Sequence, residues 1–339
     1  MSLTSNLNDP SSPIGQFIKQ KFSQTKNITK IANPKLRGEV TISPGFPSLV
    51  YSHIGMAIDY RFRYSFAITP KEQLIAWTGS TELCTKLREN ENDIPFDWED
   101  VPRGMTLSTP VPAAANQSFF DLAVGPYPLK LVLSFFDSLD ATLRTIAPVG
   151  RKLEAEDERL LARYCFVLGL FEEPYRSDRY LEGPLMLPAP RTSVDELLHI
   201  AEDAWIDDLC QLSTLFYDKC HHLLSQPFVL NPTFKGSSDV GGADADLIVD
   251  GCLIEVKSSI GARIDAKWLY QLAGYTLLDY DDKYHLNSVG IYMARQGLLL
   301  KWPIDEFLYL LSGSNNLPLA QYRKEFIAFC RGLQSVRSR

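Results

Sequence analysis

Asp246, Glu255 and Lys257 are the residues of this chain whose types and spacing could do chemistry together. They lie in Gly242–Ser259, GADADLIVDGCLIEVKSS, where alternating apolar residues flank Asp250-Gly251, a strong short-range signal for a two-residue hairpin turn. With those two residues as the turn, Val249 faces Cys252, Ile248 faces Leu253, Leu247 faces Ile254, Asp246 faces Glu255 and Asp244 faces Lys257. Side chains alternate between the two faces of a strand pair. One face is then Ala245, Leu247, Val249, Cys252, Ile254 and Val256, all apolar and suited to a core. The other collects Asp244, Asp246, Glu255 and Lys257 at its far end.

Like charges placed opposite one another on a strand pair are destabilising, so Asp246 across from Glu255 calls for an explanation. A hard divalent cation supplies one, because Mg²⁺ is held by one or two carboxylates with water and substrate oxygens completing its shell. A lysine on the same face can orient or deprotonate an attacking water and stabilise charge that develops on a phosphoryl group. The plainer alternative is a solvated hairpin edge with an ordinary Asp, Glu and Lys. The turn signal, the wholly apolar opposite face and the cross-strand pairing together favour the metal reading.

The surrounding pattern alternates helix and strand. Ser193 with Glu196 three residues on forms a capping box for a long helix from Val194 to about Leu224. An extended Phe228–Phe234, the hairpin, a helix from about Asp265 to Leu278, strands near Ser288–Ala294 and Leu298–Trp302, and terminal helices follow. The order expected is α-β-β-β-α-β-β-α. Upstream, helical periodicity is read at Ile14–Gln24, Phe46–Phe66, Lys130–Ile146 and Glu154–Phe171. Three prolines in Gly183–Thr192 read as a linker. The expected organisation is a disordered tail over residues 1–13, a mostly helical domain over 14–183, and an α/β domain with C-terminal helices over 184–339.

Here the residues resemble the PD-(D/E)XK nuclease superfamily, in which an Asp on one strand and a Glu-x-Lys on the next bind metal and activate water. Asp246 matches the acid and Glu255-Val256-Lys257 the Glu-x-Lys. Gln271-Leu272-Ala273-Gly274-Tyr275 is similar to the QxxxY motif of the RecB-like branch, and the element order is similar to the superfamily's α-β-β-β-α-β core. The resemblance covers residues 194–303. Ala245 stands where the family's name has a proline.

The resemblance implies a restriction-endonuclease-like core, phosphodiester hydrolysis with Mg²⁺ or Mn²⁺, and nucleic acid as substrate, DNA ahead of RNA. It implies Asp246 and Glu255 as metal ligands, with one more acid from the upstream helix; Glu202 is the choice among His199, Glu202, Asp203, Asp207 and Asp208. Lys267, Gln271 and Tyr275 recur every four residues on one helix face and are candidates for holding the substrate strand. No arrangement matches the four cysteines of an iron–sulfur cluster, so none is expected. The N-terminal region is expected to supply substrate specificity or a protein-partner surface, in a host-defence or repair setting.

Composition sets bounds on these readings. The chain has 339 residues, 45% of them hydrophobic, with 41 acidic and 34 basic side chains. A net charge of -7 excludes coating of nucleic acid by bulk attraction. From Thr192 to Ser312 there are 18 acidic and 8 basic residues, so acid is concentrated where metal ligands are sought. No stretch reaches the ~20 apolar residues of a membrane helix, and the start MSLTSNLNDPSSP is unlike a signal peptide. The expected location is the cytoplasm, away from membranes. Six cysteines without CxxC spacing read as buried thiols.

Weaker features have two readings each. Tyr60-Arg61-Phe62-Arg63-Tyr64 could stack bases and hold phosphates, or turn its aromatics inward and its arginines to solvent. Cys220-His221-His222 cannot close a metal site on one helix, since adjacent residues diverge by ~100°. Two rival functions stand beside the nuclease: a nuclease-like module that binds nucleic acid or protein without cutting, and a hydrolase of small phosphate compounds, for which no GxxxxGK[ST] loop is present.

Overall fold

The computed structural model describes residues 2–80, 128–177, 193–313 and 317–337. It is a mixed α/β structure that divides into two compact units: residues 1–43 with 215–339, and residues 44–214. No helix among the described residues is long and apolar enough to cross a membrane.

Unit 2 is helical. Helix α4 (Ser48–Phe66) packs along α6 (Ala155–Ser177), with α5 (Pro128–Ile146), α7 (Val194–Leu198) and the first part of α8 (Asp203–Cys220) beside them. Gly169 admits α4 closely, since a Cβ there would meet Met56 Cβ at 3.1 Å. The run Tyr60–Tyr64 is buried at every position: the aromatics turn inward as the second reading has it, but the arginines are buried with them, and none of the five is placed to stack bases or hold phosphates. Arg61 faces inward because Glu158 takes its guanidinium through two bonds of 2.7 Å and Ser65 through a third of 2.8 Å. Arg63 is held by Asp59, one turn back.

The long helix expected from Val194 is two. Ser193 caps α7 as the capping box predicts, its hydroxyl accepting from Glu196 N at 3.2 Å. The helix then stops at His199, whose ring binds Asp195 O at 2.8 Å, and α8 starts afresh at Asp203.

Unit 1 is built on a five-stranded sheet in the order β1-β2-β3-β4-β5: β1 (Phe228–Leu230), β2 (Leu247–Val249), β3 (Cys252–Lys257), β4 (Ser288–Met293) and β5 (Leu298–Pro303). All pairs are antiparallel except β3–β4, which is parallel and joined through helix α9 (Ala266–Leu278), as a parallel pair requires a crossover. The hairpin register is the one read from the sequence: Val249 pairs with Cys252, Ile248 with Leu253, Leu247 with Ile254. Asp250 and Gly251 take φ of 49° and 70°, both left-handed, as this turn demands. From α8 onward the order is α-β-β-β-α-β-β-α, ending in α10 (Ile304–Ser312) and α11 (Leu319–Arg337).

Two expectations are corrected here. The central strands β2, β3 and β4 are buried on both faces apart from the end of β3, and the side that carries Glu255, a solvated edge in the plainer alternative, is not one: Ile248, Leu253, Val289 and Ile291 on it belong to the main core with Leu269, Leu272 and Ala273 of α9. The first residues are no tail, and residues 1–43 belong to the sheet unit rather than to the helical one. Helix α1 (Leu3–Asn8) buries Leu3 and Leu7, one turn apart, and Asn6 Nδ2 donates to Val240 O at 2.9 Å. Helices α2 (Pro13–Lys21) and α3 (Thr25–Arg37) follow, burying Ile14, Ile18, Ile28, Ala32 and Leu36 in the same core. The expected linker, Gly183–Thr192, lies outside the described residues.

Candidate active site

The site forms where β2 stops and β3 continues. The β2–β3 ladder ends at Leu247, so the next amide on that side of β3 has no strand partner. Asp246 takes it, Oδ2 accepting from Val256 N at 2.7 Å. That bond fixes the carboxylate beside Glu255, the residue across from it by register. Glu255 is 1% exposed and Asp246 half-buried.

Lys257 shares Glu255's face two residues on, and its ammonium donates to Glu255 Oε2 at 2.6 Å and to Gln271 Oε1 at 3.2 Å. Gln271 lies on α9, whose first turn is capped by Asp265 accepting from Lys267 N at 2.8 Å. The amide's other end donates to Tyr275 OH at 2.9 Å, and that hydroxyl donates to Asp244 O at 2.9 Å. A chain of four hydrogen bonds thus runs from Glu255 through Lys257, Gln271 and Tyr275 to the residue two before Asp246. Its direction fixes Gln271 with oxygen toward the ammonium and nitrogen toward the phenol.

The electrostatics agree with this convergence. The Tyr275 phenol is pushed well above its usual value, first by burial, then by the carboxylates of Glu255 and Asp246, with Asp244 adding and the Gln271 bond opposing. Three acids, one from β3 and two from the segment just before β2, act on one hydroxyl.

Asp246, Glu255, Lys257, Gln271 and Tyr275 are therefore brought together, with four qualifications to the set expected. Tyr275 is 3% exposed and stacked on Phe234, so it braces Gln271 and the Asp244 backbone rather than lining a surface. Lys267 is exposed, one turn before Gln271 on α9. Glu202 is exposed just ahead of α8 and belongs to unit 2, so unit 1 does not itself gather it with Asp246 and Glu255. Lys257, expected opposite Asp244, is shown ion-paired with Glu255.

Two supports carried no sequence signal. Thr4 Oγ1 lies 3.5 Å from Gln271 Nε2, brought there because Leu3 seats on Gly274, where a Cβ would meet its methyls at 2.9 and 3.1 Å. Arg295, fully buried in the β4–β5 turn, donates from Nε to Ser258 O at 2.7 Å and from Nη1 to Ile42 O at 3.0 Å. Beside it, Ala294 N donates to Lys257 O at 2.8 Å, which fixes the backbone that presents the lysine.

The donor set fits a hard divalent cation. Asp246 and Glu255 offer carboxylate oxygens, the ligands Mg²⁺ and Mn²⁺ prefer, and Mg²⁺ usually takes only one or two from protein. Among the described residues no third His, Cys, Asp or Glu completes a protein cage, so the remaining positions would fall to water and substrate. No protein-family model matches the chain, nor does any curated protein or solved structure.

Proposed function

We propose that unit 1 is a restriction-endonuclease-like core of the PD-(D/E)XK type and that the protein is a divalent-metal-dependent nuclease acting on nucleic acid, with DNA the first substrate to try. One observation carries the reading: at the end of β3, Asp246, separated from Glu255 by eight residues of chain, accepts from the Val256 amide, while Lys257 donates both to Glu255 and to Gln271 on the next helix.

Hydrolysis of a phosphodiester adds water across a P–O bond: the water oxygen bonds to phosphorus, one ester oxygen leaves, and charge grows on the non-bridging oxygens. Held by Asp246 and Glu255, Mg²⁺ or Mn²⁺ would supply Lewis acidity toward water and phosphate. Lys257 contributes a positive charge with directed N–H donors, suited to orienting the attacking water and stabilising the phosphoryl charge. Gln271 keeps that ammonium in place through its Oε1, and Tyr275 keeps Gln271 in place. The buried surroundings of Glu255 strengthen each of these interactions relative to water.

The test is cleavage of single-stranded, double-stranded and supercoiled DNA and of RNA with Mg²⁺ or Mn²⁺, by wild type and by Lys257→Ala. Cutting that needs metal and drops by roughly 10²–10⁴-fold in the variant is expected. Equal cutting by both proteins, or binding of nucleic acid without cutting at any metal concentration, would sink the nuclease; the second result would favour a non-cutting module.

A further inference from the structure

The protein is acidic overall, yet Pro10–Gly38 contains six basic residues and no acidic one: Lys19, Lys21, Lys26, Lys30, Lys35 and Arg37. This is the α2–α3 segment of unit 1. Lys21 is spent on Glu325 at 2.5 Å, and Lys19 acts on Asp9. The cations of α3 are different. Helix α3 buries Ile28, Ala32 and Leu36, spaced by four, against the core. Lys26, Lys30 and Arg37, at spacings of four and seven, fall together on the side away from that stripe, and all three are exposed. Among the described residues none of them has a carboxylate within ion-pair distance.

This stripe runs into the candidate site. Asn33, at the flank of the stripe, accepts from Ile264 N at 2.8 Å through Oδ1. Ile264 lies in the loop that leads from Lys257 to α9, next to the exposed Arg263 and three residues before the exposed Lys267. Lys267 precedes by one turn the Gln271 that binds Lys257. The stripe, the loop and the first turn of α9 thus present five exposed cations, Lys26, Lys30, Arg37, Arg263 and Lys267, in continuity with the metal-binding end of β3.

We propose that this surface is a phosphate-backbone track that holds a nucleic-acid strand leading to the site, supplied by an N-terminal helix whose other side packs into the core of the sheet unit. The idea deepens the nuclease reading and rests on it only for where the strand leads. At a rise of 1.5 Å per residue, Lys26 to Arg37 spans about 17 Å, the length along a duplex axis that holds roughly five phosphates of one strand at an axial rise of about 3.4 Å each. Backbone contacts of this kind give affinity without sequence preference. An acidic protein can bind a polyanion in this way because screening confines each charge to a range of about 8–10 Å, so the local patch outweighs the distant excess of acid.

The experiment is salt-dependent binding of labelled duplex and single-stranded DNA to the full chain, with chelator present so that nothing is cut, for wild type and for the triple variant Lys26→Gln, Lys30→Gln, Arg37→Gln. A control carries Lys301→Gln and Lys324→Gln, two exposed lysines outside the stripe. The slope of log K against log salt should flatten in the triple variant by about 2.7 on duplex, or about 2 on a single strand, and stay unchanged in the control. Equal slopes for wild type and triple variant, no binding by wild type, or stripe-dependent binding to phosphatidylserine vesicles with none to DNA would each overturn the proposal. Stripe-dependent binding without cutting of any substrate would keep the track and sink the nuclease. DNA cutting in Mn²⁺ that neutralising the stripe leaves unchanged would do the reverse.

Discussion

Lys257 and Glu255 form an ion pair of 2.6 Å between next-but-one neighbours on the same face of β3, with the carboxylate side chain 2% exposed and the lysine side chain 19%. The pair neutralises a buried acid in the same strand that presents the lysine. Lys257→Ala should therefore cost stability as well as chemistry, on the order of 3 kcal/mol, because it removes the ammonium from a carboxylate that water scarcely reaches. Urea denaturation measures this. Adding Glu255→Gln should return part of the loss, so that the double variant is more stable than the sum of the single ones; simple additivity would show that the pair is not coupled.

Tyr275→Phe removes a hydroxyl that accepts from Gln271 and donates to Asp244 O. Both partners lose a bond in a buried setting, with an expected cost of about 1–3 kcal/mol. Because Gln271 in turn orients Lys257, the variant should lower kcat more than it raises KM. A rise in KM alone would mean that the tyrosine grips substrate and does not act through its neighbours.

The Tyr275 phenol is raised well above 10 by burial and by Glu255 and Asp246. A proton held more tightly in the folded than in the unfolded state stabilises the fold. That contribution is complete below about pH 10 and is lost as pH rises toward the folded value. Tyrosinate absorbance, taken as wild type minus Tyr275→Phe, should stay flat through pH 10 and appear only together with loss of the circular dichroism of the fold. Ionisation near pH 10 with the dichroism intact would contradict the burial.

Gly15 lies where α2 crosses α1, and a Cβ there would fall 2.2 Å from Asn6 O. That atom is backbone and cannot turn aside. Gly15→Ala should push α1 off α9, and with it Thr4 from Gln271, lowering melting temperature and any activity together. A variant with wild-type stability would show that α1 is not held against α2 as described.

Much of the site was legible in the sequence because its rules are local. Asp250-Gly251 sets the turn, the turn sets the register, and the register brings Asp246 to Glu255; Gln271 and Tyr275 follow from helical spacing. What failed depends on partners far along the chain. Leu3 looks like part of a polar tail until Gly274 supplies the surface it buries against. Arg61 and Arg63 look solvent-bound until Glu158 and Asp59 take their charge inside. The division into units was misread for the same reason, since nothing in residues 1–43 announces that their partners begin at residue 215.

That discontinuity has a consequence for synthesis. The core of unit 1 needs Phe22 against Tyr322 and Phe17 against Phe326, contacts that close a loop of roughly three hundred residues. The residues of unit 2 are continuous in sequence, whereas the first forty-three residues find their partners in unit 1 only from residue 215 onward, so their contacts close late in a growing chain. The assembled site is therefore a late event in the life of each molecule, and a truncated or stalled chain would carry Asp246, Glu255 and Lys257 without the braced core that makes them a site.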